Sequence, residues 1–370
     1  MAGRSRPWMI YGAYGFTGQL VVEEALRRGH RPLLAGRDKM RLDRVAERYG
    51  LHARAFPLEN GDAMRAHLSG MACVLHAAGP FATTGAPLIE ACLDTSTNYA
   101  DLSGEHHHLC TVEALDAEAK HAGIALLTGA GFGVTFGDCL ARRTMNLLPD
   151  ATHLRLSVAA ENAQTTPALR RTVMEVLAQG GYAIEGGEQK RRPLAHQRWT
   201  IGNGNSALSF AAAPLGELAA LRRSTGVTNI VVGRPMPMSA ALILRTLSTP
   251  IQSATQSALQ LREIHRLLSR ENSSRDRPVS KGSSGRRSSL WLEARNASGT
   301  SITSRLDTGE GYAATAVAAL ANIEALLNHR LVGAMTPGLA FGARHLAAIP
   351  DVTITDAVGK ASQPGEPQRT

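Results

Sequence analysis

Three glycines, Gly12, Gly15 and Gly18, stand three residues apart in "WMIYGAYGFTGQLVVEEALRR", between a short apolar run and a stretch of helical periodicity. That placement suits a phosphate. The first glycine permits a tight turn, the second lets backbone approach a pyrophosphate, and the third lets the helix pack closely on the strand. Amides at the helix N-terminus then hold the anion. The spacing is GxxGxxG rather than GxGxxG, and an ordinary tight turn would use the same residues. The position decides for dinucleotide binding. The triplet fills the first strand–helix turn, with Tyr14, Phe16 and Thr17 between and beside the glycines.

The next apolar run, "RPLLAG", ends in "AGRDK". A site for NAD usually carries an acid here, about 20 residues past the glycines, to hold the ribose 2′-hydroxyl. Gly36 is expected to leave room, and Arg37 can stack on adenine and pair with a 2′-phosphate. Lys39 adds charge. Asp38 is a competing acid, better read as the cap of the following helix. NADP is favoured over NAD. A second glycine-rich turn, "HAAGPFATTGAP", follows the fourth apolar run. Its Ala78, Gly79, Pro80 and Phe81 stand where a doubly wound sheet opens its ligand crevice, near the nicotinamide ribose.

Hydride transfer is the cofactor's chemistry, so the protein owes an orientation and a proton. "NYADLSGEHHHL" places Tyr99, Asp101, Glu105, His106, His107 and His108 just past a strand end. Asp101, Glu105 and His106 are candidates for proton transfer. The competing reading gives Asp101 and Ser103 to capping and Glu105 to the first turn of a helix. Tyr312, in "GEGYAAT", is a second candidate donor or a wall of the substrate pocket. Metal is not expected. Consecutive helical histidines point in different directions, and zinc needs three or four convergent ligands.

Positioning these groups takes alternating strands and helices. "WMIYG", "RPLLAG", "HARAFPL", "MACVLHAAG", "NYADL" and "GIALLTGAG" read as six strands with helices between them. This rhythm predicts an α/β fold, a Rossmann doubly wound parallel sheet over residues 1–134. A second, mixed α+β domain is expected over 135–330 for substrate or dimerisation. It includes a helix in "PALRRTVMEVLAQGG", antiparallel strands "SSLWLEARN" and "TSITSRL" across "ASG", and a long alanine-rich helix after Tyr312. The polar, serine-rich stretch 269–289 predicts a flexible loop. Residues 331–358 read as a return to the Rossmann domain, and 359–370 as a disordered tail.

Composition limits the partners. Forty Lys and Arg against 31 Asp and Glu give a net charge of +9, which attracts anions. No basic strip interleaved with aromatics is present, so nucleic acid is not an expected partner. Cys73, Cys92, Cys110 and Cys139 show no CxxC spacing and fit a reducing, cytoplasmic compartment. No run reads as a membrane span, leaving at most peripheral membrane contact.

Together, "GAYGFTG", "LAGRD", "AAGPF", "ACLDTSTNYADLSGE" and "GAGFG", with "GEGYAAT" and "TPGLAFG" near the end, resemble the saccharopine dehydrogenase-like oxidoreductases, which include bacterial trans-acting enoyl reductases. The resemblance implies an NADP(H)-dependent reductase that is often a homodimer. It leaves three readings. One is reduction of a C=C bond in a carrier- or lipid-linked intermediate of lipid or polyketide biosynthesis. Another is imine or secondary-amine chemistry of the saccharopine type. The third is a non-catalytic NADP-binding sensor or scaffold. One stretch departs from the family pattern. Where "GAGFDVVPSD" is frequent, this chain reads "GAGFGVTFGD", with Gly133, Phe136 and Gly137 in place of an acid, a proline and a serine.

Overall fold

The structure is a computed structural model in which residues 7–161, 180–204, 207–213, 215–251 and 287–360 are described. The first half begins with β1 (Trp8–Tyr11), α1 (Phe16–Arg27), β2 (Leu33–Gly36), α2 (Lys39–Tyr49), β3 (Ala53–Ala55) and α3 (Gly61–Leu68). It continues with β4 (Cys73–His76), α4 (Phe81–Thr95), β5 (Asn98–Asp101), α5 (His106–Ala114), α6 (Asp116–Ala122), β6 (Ala125–Leu127) and α7 (Phe132–Leu147). Among the described residues these strands form a sheet in the order β15-β6-β5-β4-β1-β2-β3, every pair parallel. Here β15 is Gly333–Met335. All six expected strands are present and lie in a Rossmann order. Both sheet faces are covered by helices, which is why β1 and β4 read as unbroken apolar runs.

The second sheet holds β7 (Ala151–Ala159), β8 (Gly181–Glu185), β9 (Glu188–Arg192), β10 (Arg198–Ile201), β11 (Leu208–Ala212), β12 (Asn229–Pro235), β13 (Ser288–Asn296), β14 (Thr300–Thr308) and β16 (Thr353–Lys360). Its helices include α8 (Gly216–Thr225) and α9 (Met238–Ile251). β13 and β14 pair antiparallel, as the alternation in "SSLWLEARN" and "TSITSRL" predicts.

The remaining helices are α10 (Gly311–Asn328) and α11 (Pro337–Phe341). α10 serves both halves. Its Ala314, Ala318 and Ala321 belong to the core under the second sheet, and its Ala316, Ala319, Leu320 and Ile323 to the core under the first. Alanine suits a helix with little solvent face and a layer close on either side. Buried Asn322 fastens it, donating to the Ala130 carbonyl and Thr135 Oγ1 and meeting His345 Nε2 at 2.8 Å.

Three boundaries differ from expectation. The return at 331–358 is split: β15 joins the first sheet, but β16 pairs along its whole length with β14 of the second. That ladder also carries Gly359 and Lys360, so the chain stays ordered past the expected start of the tail. Ser288 and Ser289, assigned to the flexible loop, are buried in β13 and pair with Thr308 and Asp307. Residues 269–286 of that loop, the tail 361–370 and the expected helix at 167–179 lie outside the described residues.

Candidate active site

Register brings the chemistry to one edge. Tyr11 of β1 lies beside His76 of β4, and His76 beside Asp101 of β5, so three strands end level. The glycine turn sits at that edge. Gly12 has φ +91°, and a Cβ on it would meet Ala78 Cβ at 2.8 Å, so this glycine closes the first turn onto the "AAGPF" loop. A Cβ on Gly18 would meet the Gly12 carbonyl oxygen at 2.2 Å, which presses α1 against β1. Gly15 differs, because the nearest atom to its Cβ position is the Gly12 oxygen at 3.2 Å. Protein packing demands glycine at 12 and 18. The space beside Gly15 suits the close approach of a ligand's pyrophosphate to the protein backbone. No side chain caps the N-terminus of α1, so its first amides suit a phosphate. The residues fit a dinucleotide.

At the end of β2, Arg37 is exposed. Asp38 caps α2, its side chain accepting from the Arg41 amide, and Lys39 pairs with Asp43 at 2.6 Å. Gly36 does not leave an empty space. A Cβ there would lie 2.4 Å from the Tyr14 ring, which fills the position. Across that ring lies Arg41, its guanidinium 4.7 Å from the centroid. Arg41 went unnoticed in the sequence. Its only signal is its place in the first turn of the helix after β2, four residues beyond Arg37. Phe16 opens α1 with its ring edge-on to Tyr312, centroids 4.9 Å apart. Tyr312 is half-buried at the start of α10.

The fourth turn is built differently. Glu105 accepts from the Phe81 amide at 3.0 Å and the Ala82 amide at 2.8 Å. The protein's own carboxylate therefore occupies the N-terminus of α4, where the helix dipole favours it. Asp101 is fully buried and accepts four hydrogen bonds: from the Ser103 amide, the Gly129 amide, the Thr128 hydroxyl and His108 Nε2 at 2.8 Å. Burial alone would raise its pKa; His108 and the amide donors hold it below the ordinary value. Burial would lower His108, but Asp101 raises it, a charge-assisted pair. Ser103 Oγ, for its part, accepts from the Glu105 amide. His76 Nδ1 meets the Tyr99 hydroxyl at 3.0 Å, and burial pushes this imidazole down to about 4, so it is neutral.

His106 is not brought to this group. Its Nε2 meets Gln189 of β9 at 2.9 Å and its ring stacks on Tyr182 of β8, fastening α5 to the second sheet. His106 and His108 point to different partners, and among the described residues no cluster of metal-ligating side chains forms. Among the same residues no helix is long and apolar enough to cross a membrane.

The second domain reaches this edge through α8. The Gly216 amide donates to the Gly104 carbonyl at 2.8 Å, setting the start of α8 against the loop after β5. Glu217 then lies over the first turn of α7. A Cβ on Gly133 would meet its Oε1 at 2.0 Å, and a Cβ on Gly137 its Cγ at 3.6 Å. The departure from the family pattern thus has a structural cause: Gly133 makes room for a carboxylate from another element, and Gly137 for the Leu156 side chain of β7, whose Cδ2 would lie 2.9 Å from an added Cβ.

Comparison with known proteins agrees with this geometry. Residues 8–127 match the family model of the saccharopine dehydrogenase NADP-binding domain. A trans-acting enoyl reductase of Mycobacterium tuberculosis is 35% identical over 133 residues, 34% of this chain and 32% of the relative. A trans-acting enoyl reductase of Mycobacterium ulcerans matches to the same extent. The chain therefore spans about a third of the length of the curated relatives it matches. Apo saccharopine dehydrogenase (L-Glu forming) from Saccharomyces cerevisiae superposes with a TM-score of 0.63 at 12% identity, covering 96% of this chain and 100% of that one. At that coverage the likeness extends over the fold of nearly the whole chain. The expected resemblance holds at the level of fold and cofactor domain: the first third of this chain is similar to the saccharopine dehydrogenase NADP-binding domain.

Proposed function

We propose that this chain is an NADPH-dependent oxidoreductase that reduces a C=C bond in a carrier- or lipid-linked biosynthetic intermediate. The observation that carries the reading is the uncapped start of α1 beside Arg37, on a domain whose relatives are named trans-acting enoyl reductases. Bound NADPH supplies a hydride, which an enoyl thioester takes at its β-carbon while the α-carbon takes a proton. The chain's residues do the rest. Gly15 and the first amides of α1 hold the pyrophosphate, and Arg37 holds the 2′-phosphate. The loop from Ala78 to Phe81 borders the nicotinamide ribose. Asp101 and Glu105 act through structure, one bracing the loops after β5 and β6, the other fixing α4. That leaves the Tyr312 phenol as the proton donor among the four candidates. The net charge of +9 suits an acidic acyl carrier in the cytoplasm.

The test is NADPH consumption with a panel of trans-2-enoyl thioesters, on coenzyme A and on acyl carrier protein, set against cyclic imines. Oxidation with thioesters alone is expected. Turnover of imines alone would replace this reading by saccharopine-type chemistry, and inertness toward both would leave a binding protein. Tyr312→Phe should lower turnover by about 10²-fold or more with NADPH affinity unchanged; an unchanged rate would hand the proton to water.

A further inference from the structure

Glu217 is 1% exposed and carries a second oxygen, Oε2, with no hydrogen-bond partner. Its Oε1 is held by Arg234 Nη2 at 2.6 Å. Arg234, at the end of β12, is itself 30% exposed and reaches back to the Val158 carbonyl. A purely structural ion pair would be expected to satisfy both oxygens, since a buried unpaired acceptor costs about 1–3 kcal/mol. The chain instead gives space to this group: Gly133 on α7 takes no side chain where the Glu217 carboxylate lies, since a Cβ there would meet its Oε1 at 2.0 Å. The position is chemically apt. α7 starts where β6 ends, and α8 is bonded to the loop after β5, so the carboxylate stands at the carboxyl edge of the parallel sheet, where doubly wound folds bind ligands.

We propose that Glu217 is a substrate-binding residue, whose Oε2 accepts a hydrogen bond from an N–H or O–H group of the molecule held at this edge. Arg234 fixes the carboxylate in place through its other oxygen. The substrate class is then narrowed to enoyl compounds whose carrier arm bears amide or hydroxyl donors, such as a pantetheine thioester; a donor-free acyl chain would leave Oε2 unmet. This rests on the reductase reading above.

The experiment compares two probes with the same reacting group. One is trans-2-hexenoyl-coenzyme A, whose arm carries amide and hydroxyl donors. The other is the S-methyl thioester of trans-2-hexenoic acid, which carries none. In Glu217→Gln the amide can still accept from Arg234 but turns an N–H toward the donor. KM for the coenzyme A thioester should rise about tenfold or more, while KM for the methyl thioester and the Kd for NADPH stay within twofold, the split expected when a substrate-binding hydrogen bond is lost. Gly133→Ala, which displaces the carboxylate without removing it, should act in the same direction. Equal changes with both probes, or none with either, would overturn the assignment by making the pair structural. An unaltered protein inert to both thioesters would instead bring down the reductase reading, and this inference with it.

Discussion

Asp101→Asn separates a bracing role from a chemical one. The unaltered carboxylate accepts four hydrogen bonds at full burial. An asparagine can turn its oxygen to Ser103, Thr128 and Gly129, but its amide nitrogen then faces His108 Nε2, which must switch to the accepting tautomer. Bonds to a charged acceptor contribute about 1.5–3 kcal/mol and neutral ones about 0.5–1.5, so roughly 1 kcal/mol is lost per bond. Because the four share one network they do not simply add, and about 2–4 kcal/mol is expected. For a chain of a few hundred residues that corresponds to a Tm lower by roughly 4–16 °C. Turnover of the folded variant, measured with whichever enoyl thioester the unaltered protein reduces, should stay within about tenfold. The NADPH Kd should hardly move. A general acid would behave in the opposite way, with Tm nearly unchanged and turnover down by about 10²–10⁴. That pattern would refute the bracing account.

Other expectations follow from the cofactor turn and from a buried acid. NADPH should bind more tightly than NADH, and Arg37→Ala should remove most of the preference, about 1.5–3 kcal/mol by fluorescence titration. Arg41→Ala should remove a smaller part, because the guanidinium over Tyr14 flanks the same end of β2; an unchanged ratio would leave Arg41 to the tyrosine alone. Gly15→Ala should weaken NADPH binding at near-normal Tm, whereas Gly18→Ala, with its Cβ 2.2 Å from the Gly12 oxygen, should lower Tm first. If both variants behave alike, the division between packing and ligand approach is wrong. Burial pushes Asp138 of α7 up to about 6 from 3.8, against the pull of its Ser224 and Gly338 hydrogen bonds. The folded state thus holds this proton more tightly than the unfolded one. The resulting stability is complete below the unfolded value and is lost as pH rises through about 6. Asp138→Asn does not titrate, so the Tm advantage of the unaltered protein should shrink from pH 4 to pH 7; a constant gap would contradict it.

The parallel sheet was legible because its central strands are apolar runs bounded by glycines, and period alone reveals them. β15 escaped because three residues carry no period, and its place depends on a helix almost 200 residues downstream of β6. The glycine turn and Arg37 could be read locally. The fate of Glu105 could not, since its partners are amides more than 20 residues back in the chain and only the fold brings them together. Gly36 was misread for the same reason: the ring that fills its space comes from the first turn. Glu217 left one faint trace, Gly133 in "GAGFGVTFGD", which signals close approach to a helix face without saying by what.

The alanine-rich helix α10 has a consequence for how such a chain can evolve. It contributes side chains to both hydrophobic cores, and β15 completes the parallel sheet from beyond it. A gene fragment ending after α7 would leave the cofactor half without an edge strand and with bare apolar surface where Ala316, Ala319, Leu320 and Ile323 had been. The half that binds the dinucleotide is therefore not a portable cassette. Recombination that trades one substrate-binding half for another must carry the end of the chain with the beginning, or insert new sequence between Leu148 and Gly309, and the middle of the chain is accordingly where relatives of this architecture are free to diverge.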